Sequence, residues 1–111
     1  MSLKKKINVK KKGNRGEHAF AHWLERNGLK AFRNSMSGGS IWKGDIANNL
    51  NLTIEIKTVK AINLHKAWKQ VEKDSSMARN SPLLAIHFDS MPKDTWLIVL
   101  HSEDWLDLIK N

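Results

Sequence analysis

At 111 residues the chain has room for one domain around one core, and its 41% apolar content is enough to pack that core. Zero cysteines exclude a disulfide framework and a thiolate zinc site. No run approaches the roughly 18 consecutive apolar residues of a membrane span, so no membrane association is expected.

Nineteen Lys and Arg against eleven Asp and Glu give a net charge of +8. Such an excess favours a polyanionic partner held by phosphate neutralisation and counterion release, the bland alternative being a merely soluble basic protein. Ile7-Asn8-Val9 runs straight into further lysines, without the apolar segment of a secretion signal. The expected location is the cytoplasm, or a host cytoplasm for a virus-encoded chain.

The first dozen residues carry Lys4, Lys5, Lys6, Lys10, Lys11 and Lys12, and residues 1–12 read as a basic, flexible tail ahead of a single domain at 13–111. A helix is expected from an Asn14 cap, with Glu17 three residues on as in a capping box. Phe20, Trp23 and Leu24 mark its inner face, and Asn27-Gly28 ends it. A short strand from Leu29 to Arg33 leads into a flexible loop, Ser35-Met36-Ser37-Gly38-Gly39-Ser40. Asp45-Ile46-Ala47 opens a second strand, Asn48, Asn49 and Asn51 mark a turn, and Leu52 to Val59 forms the third.

In that third strand Leu52, Ile54 and Ile56 share one face, expected to meet a core. Thr53, Glu55 and Lys57 share the other, expected to be polar. A helix from Asn63 to Arg79 follows, with Leu64, Trp68, Val71, Ser75 and Ala78 on its inner stripe, stopped by Asn80-Ser81-Pro82. Two buried strands, Leu83–Phe88 and Trp96–Leu100, flank a turn at 90–94, and Ser102 caps a last helix. Helix, three strands, helix, two strands, helix implies a mixed sheet with helices packed against it.

Hydrolysing a phosphodiester near neutral pH calls for a metal to polarise the phosphate and acidify a water. Magnesium prefers oxygen ligands, commonly one or two carboxylates with water. A neighbouring lysine can stabilise the attacking hydroxide or the developing charge. Asp45, Glu55 and Lys57 are these residue types. Glu-x-Lys puts two of them on one strand face, the hairpin brings Asp45 alongside, and the backbone carbonyl of Ile56 offers a further ligand.

Gly44-Asp45-Ile46 followed by Ile54-Glu55-Ile56-Lys57 resembles the bipartite motif of PD-(D/E)XK nucleases. Together with Gly13-Asn14-Arg15-Gly16-Glu17 and the Arg33…Gly39-Ser40 loop, it is similar to the archaeal and viral type of Holliday junction resolvase. The resemblance implies a restriction-endonuclease-like α/β core, a central mixed sheet flanked by helices. It also implies a catalytic set of Glu17, Asp45, Glu55 and Lys57, with Mg2+, or Mn2+ as a substitute, held by Glu17, Asp45, Glu55 and the Ile56 carbonyl. Arg15 and Arg33 match phosphate-binding positions and Ser40 a DNA-contacting one. Lys10, Lys11, Lys12, Trp42 and Lys43 are further DNA-binding candidates, and Gln70 is a supporting polar residue. A homodimer that cuts four-way junctions by paired symmetric nicks follows from the same resemblance. The loop around Trp42 is longer than the family pattern and the tail richer in lysine. A nuclease of ordinary duplex or flap DNA, or a non-catalytic DNA-binding module, are the rival readings.

Each signal has a plainer explanation. Glu-x-Lys on an exposed strand is commonly a modest ion pair, and the capping box alone accounts for Glu17. His18 and His22 have zinc spacing on a helix but no third ligand. Ser35, Ser37 and Ser40 lack a histidine base and orienting acid. Trp23, Trp68, Trp96 and Trp105 fall on apolar stripes, so core packing or a dimer face explains them. Trp42 is different, because it adjoins Lys43 in a glycine-rich loop, where stacking on an unpaired base is an alternative to plain packing.

Overall fold

The computed structural model describes residues 9–33 and 44–110, with the backbone alone for residues 9–14 and Phe32. Its elements are α1 (Val9–Arg26), β1 (Ala31–Arg33), β2 (Ile46–Asn48), β3 (Leu52–Val59), α2 (Leu64–Ala78), β4 (Ser81–Phe88), β5 (Leu97–Val99) and α3 (Ser102–Lys110). This is the expected order. The strands form one sheet in the order β1-β2-β3-β4-β5. All pairs are antiparallel except β3 and β4, which run parallel in a register that joins Glu55 to Leu84 and Lys57 to Ile86. Parallel neighbours need a crossover, and α2 supplies it.

Each face of the sheet has its own core. Phe20, Ala21 and Leu24 of α1 pack on Ile46, Ile54, Ile56 and Ala85, while Ala67 and Val71 of α2 pack on Leu84 and Ile86. Because neighbours along β4 point to opposite faces, α1 and α2 must lie on opposite sides. The architecture is a mixed central sheet flanked by helices, as a restriction-endonuclease-like core requires. No helix among the described residues is long and apolar enough to cross a membrane.

Four expectations change. α1 starts at Val9, so Asn14 lies inside the helix and caps nothing, and 9–12 are helical backbone. Lysine is a good helix former, and the Val9-Lys-Lys-Lys run propagates the helix upstream at the cost of one interior glycine, Gly13. Second, the Glu55 face of β3 is not an open polar surface: Thr53 and Glu55 are buried beneath α2. Third, the stripe of α2 is centred on Ala67, Val71 and Ser75, and Leu64 is exposed. Finally, Asp45 stands just outside β2, for a reason that matters to the site. The ends of α2 fall where expected: Asn63 Oδ1 accepts from Lys66 N at 3.0 Å, and Arg79 takes the left-handed cap.

Candidate active site

The β2–β3 turn is organised by one buried side chain. Asn48 Nδ2 donates to the carbonyls of Ile46 and Leu52, both at 3.0 Å, and its Oδ1 accepts from Leu50 N at 3.0 Å. Asn51 takes a left-handed conformation, φ 58°, which asparagine tolerates better than most residues. These bonds set the register in which Ile46 faces Ile54.

Beyond Ile46 the two strands part. Asp45 N still donates to Ile54 O at 2.7 Å, but the next ladder bond is made by a side chain: Ile56 N donates to Asp45 Oδ2 at 2.7 Å. Gly44 makes this departure possible. Its φ is +95°, and a Cβ there would stand 2.9 Å from the Ile54 carbonyl oxygen, so only glycine fits. The Asp45 carboxylate therefore lies in the plane of the sheet, at the edge where β2 leaves β3, within reach of both faces.

From the α1 face comes Glu17, whose Oε1 accepts from Arg33 Nε at 2.8 Å. Burial raises its pKa and Asp45 raises it further, against the lowering effect of Arg33. From the α2 face comes Glu55, 6% exposed. Burial pushes its pKa up to about 9, helped by the carboxylates of Asp45 and Asp74, both within hydrogen-bonding reach. Asp45 thus joins two acidic groups that the sheet would otherwise separate. Lys57 follows on the face of Glu55, half-buried. By strand alternation the Ile56 carbonyl points to the same open edge as its N–H.

Of the residues anticipated from sequence, Glu17, Asp45 and Glu55 come together, and Lys57 and Ile56 flank them. Arg33 sits inside the site against Glu17. Arg15 is exposed on the other side of Gly16. Gln70 is exposed on α2, and the residue that reaches Glu55 is Asp74, one turn further on. Asp74 was missed, although the signal was present: it lies three residues after Val71, a carboxylate beside the buried stripe. Ser40, Trp42 and Lys43 lie outside the described residues, as do the side chains of Lys10, Lys11 and Lys12. The rings of His18 and His22 are 6.3 Å apart. Among the described residues no three carboxylate, imidazole or thiolate groups form a metal cage.

The fold and the grouping of Asp45, Glu55 and Lys57 on a parting hairpin define the PD-(D/E)XK class of nuclease-like proteins. The profile of the archaeal Holliday junction resolvases (Hjc) matches residues 8–106, and the chain belongs to that family. A solved structure of Hjc from Archaeoglobus fulgidus, described as a Holliday junction resolvase from an archaeal hyperthermophile, is similar in fold. Its TM-score is 0.57 at 21% identity, over 80% of this chain and 72% of that one. Among proteins of curated function none matches.

Proposed function

We propose that the chain is a magnesium-dependent endonuclease that cuts four-way DNA junctions by paired symmetric nicks, acting as a homodimer. The observation that carries this reading is the Asp45 carboxylate at the sheet edge, fixed by Ile56 N–H and flanked by Glu17 and Glu55. A non-catalytic binding module gives no reason to bury Glu55 among other carboxylates, an arrangement that costs stability when no cation is present.

The donor set fits magnesium. Asp45 and Glu55 would supply two carboxylates and Ile56 a carbonyl, the hard oxygen donors that magnesium takes alongside several waters. A bound ion supplies charge neutralisation at the phosphate and a more acidic water. Glu55 must give up its proton to serve as a ligand, so its position between Asp45 and Asp74 couples cation binding to proton release. Arg33 keeps Glu17 turned toward Asp45. The Lys57 ammonium, on the Glu55 face, stabilises charge growing on the phosphate oxygens as water adds to phosphorus and the sugar oxygen leaves. Arg15 and the lysines ahead of it hold the DNA backbone, which makes affinity fall with salt. Junction choice and dimerisation rest on the family.

The test is cleavage of a synthetic four-way junction beside matched duplex, flap and single-stranded DNA, with and without Mg2+ and Mn2+. Paired nicks in the junction, absent with Asp45→Asn, are the expected result. Cutting of all substrates alike would leave a nuclease and discard the junction. Tight binding without cleavage under either metal would leave only a binding module.

A further inference from the structure

We propose that the cavity on the α1 side of the sheet, at the C-terminal ends of β3 and β4, is a nucleotide subsite. It takes one base of the substrate strand, turned out of its stack, with the adjoining phosphate against Arg15 and Lys93. The proposal rests on the DNA-nuclease reading above and adds to it a place for a base.

The cavity measures about 510 Å³, within the usual range for small-molecule sites. Its relation to the acidic site is set by a close contact between α1 and β3. A Cβ on Gly16 would collide with Thr58 Cγ2, so glycine lets the helix lie directly on the strand. Thr58 and Gly16 line the cavity, as does Arg15, while Glu17, the next residue of α1, turns to Arg33 and Asp45. Cavity and acidic site therefore flank the same helix. The helix is about 10 Å wide, or roughly three stacked nucleotides at 3.4 Å each. A strand cut at Asp45 and Glu55 can reach the cavity without leaving the protein surface.

The walls suit a base. Ala19, Met91 and Trp96 give an apolar lining. Trp96 is held edge-on to the fully buried Phe20, with ring centroids 4.9 Å apart, and against His87 at 5.4 Å. The indole is thus positioned before any ligand arrives, and stacking on such a ring tolerates any base. His87 Nδ1 lies 2.9 Å from Thr95 O. A neutral imidazole that donates there presents Nε2 as an acceptor. Asp94, tied to Arg26 at 3.2 Å, adds a carboxylate acceptor at the rim. These acceptors suit the amino group of cytosine, adenine or guanine, and the Arg15 and Lys93 cations suit the phosphate beside it. A base is free to turn out most cheaply where it is unpaired or at a branch, so the subsite would favour branched over continuous duplex DNA.

The experiment places 5-iododeoxycytidine at each of the first few nucleotides either side of the cut in a four-way junction. The complex is irradiated without divalent metal, and the crosslinked peptide is mapped by mass spectrometry. Crosslinks to Trp96, His87 or Met91 are expected at one of these positions and not in matched duplex. In parallel, Ala19→Leu narrows the cavity, and Lys93→Gln, at a cation with no part in the general backbone contact, removes the subsite's phosphate contact if Ala19→Leu fails to fold. Each should raise KM for the junction about tenfold while lowering kcat less. Crosslinks confined to other parts of the chain, or an unchanged KM in the folded variants, would overturn the subsite while leaving the nuclease intact. Loss of all DNA binding and cutting in the wild type would sink both readings.

Discussion

Asp45 is held by two 2.7 Å hydrogen bonds to β3, and the single residue most dependent on that placement is Glu55. With its pKa raised from the usual 4.5 to about 9, Glu55 keeps a proton in the metal-free fold that it loses in the unfolded chain. Below about pH 4.5 both states are protonated and the group contributes nothing. As pH rises toward 9 the folded state is progressively penalised. Metal-free stability should therefore fall across this window. Glu55→Gln should flatten the fall and raise the melting temperature at pH 8, by about 4–8 °C for each kcal/mol regained, while abolishing cleavage. Thermal melts in chelator across pH are the check. A large loss of stability would mean that Glu55 serves the fold instead.

Asp74 acts through Glu55. Asp74→Asn removes one of the carboxylates that weigh on Glu55 and leaves an amide able to donate to it. The rising limb of the pH–kcat profile should then move to lower pH by about one unit. Collapse of cleavage at every pH would show instead that Asp74 touches the reacting groups.

At the scale of elements, α2 serves both the fold and the site, because its buried stripe covers Leu84 and Ile86 and its Asp74 leans on Glu55. Its C-terminus carries a measurable flaw. Arg79 holds φ 57°, ψ 39°, a left-handed cap that its Cβ resists. Arg79→Gly should stabilise the protein by up to about 1 kcal/mol, seen as a rise of up to about 4–8 °C in a melting curve. No gain would mean that the arginine side chain stabilises this corner by an equal amount.

The element order and the hairpin were legible in the sequence because alternation, the asparagine-rich turn and the Asn63 cap are local signals. The start of α1 was misread, since Asn14 and Glu17 have capping-box spacing that a lysine run upstream overrides. The open polar face of β3 was misread too, since alternation reports which residues share a face but not what covers it.

At the scale of the whole molecule, the described residues include an apolar surface that the site does not explain. β5 exposes Leu97 and Ile98. α3 buries no side chain and leaves Trp105 53% and Leu108 66% exposed, beside Leu106 and Ile109. A nine-residue helix of this kind is marginal in water by itself, and exposed apolar side chains grouped on one helix are a candidate interaction site. If the proposed homodimer forms here, Leu108→Asp should weaken self-association at least tenfold, read by analytical ultracentrifugation. A wild type that sediments as a monomer at tens of micromolar would remove the dimer itself.

The chain alone determined the elements, their order, the basic character and the residue types of the site, because these follow from local periodicity, capping and composition. Tertiary structure decided which of those residues meet. It set α1 and α2 on opposite faces, swung Asp45 into the sheet plane so that acids from both faces converge, and put Asp74 rather than Gln70 against Glu55. The reason is geometric. A strand's pleat sends neighbouring side chains to opposite sides, and only the parting of β2 from β3 creates an edge that both sides can reach.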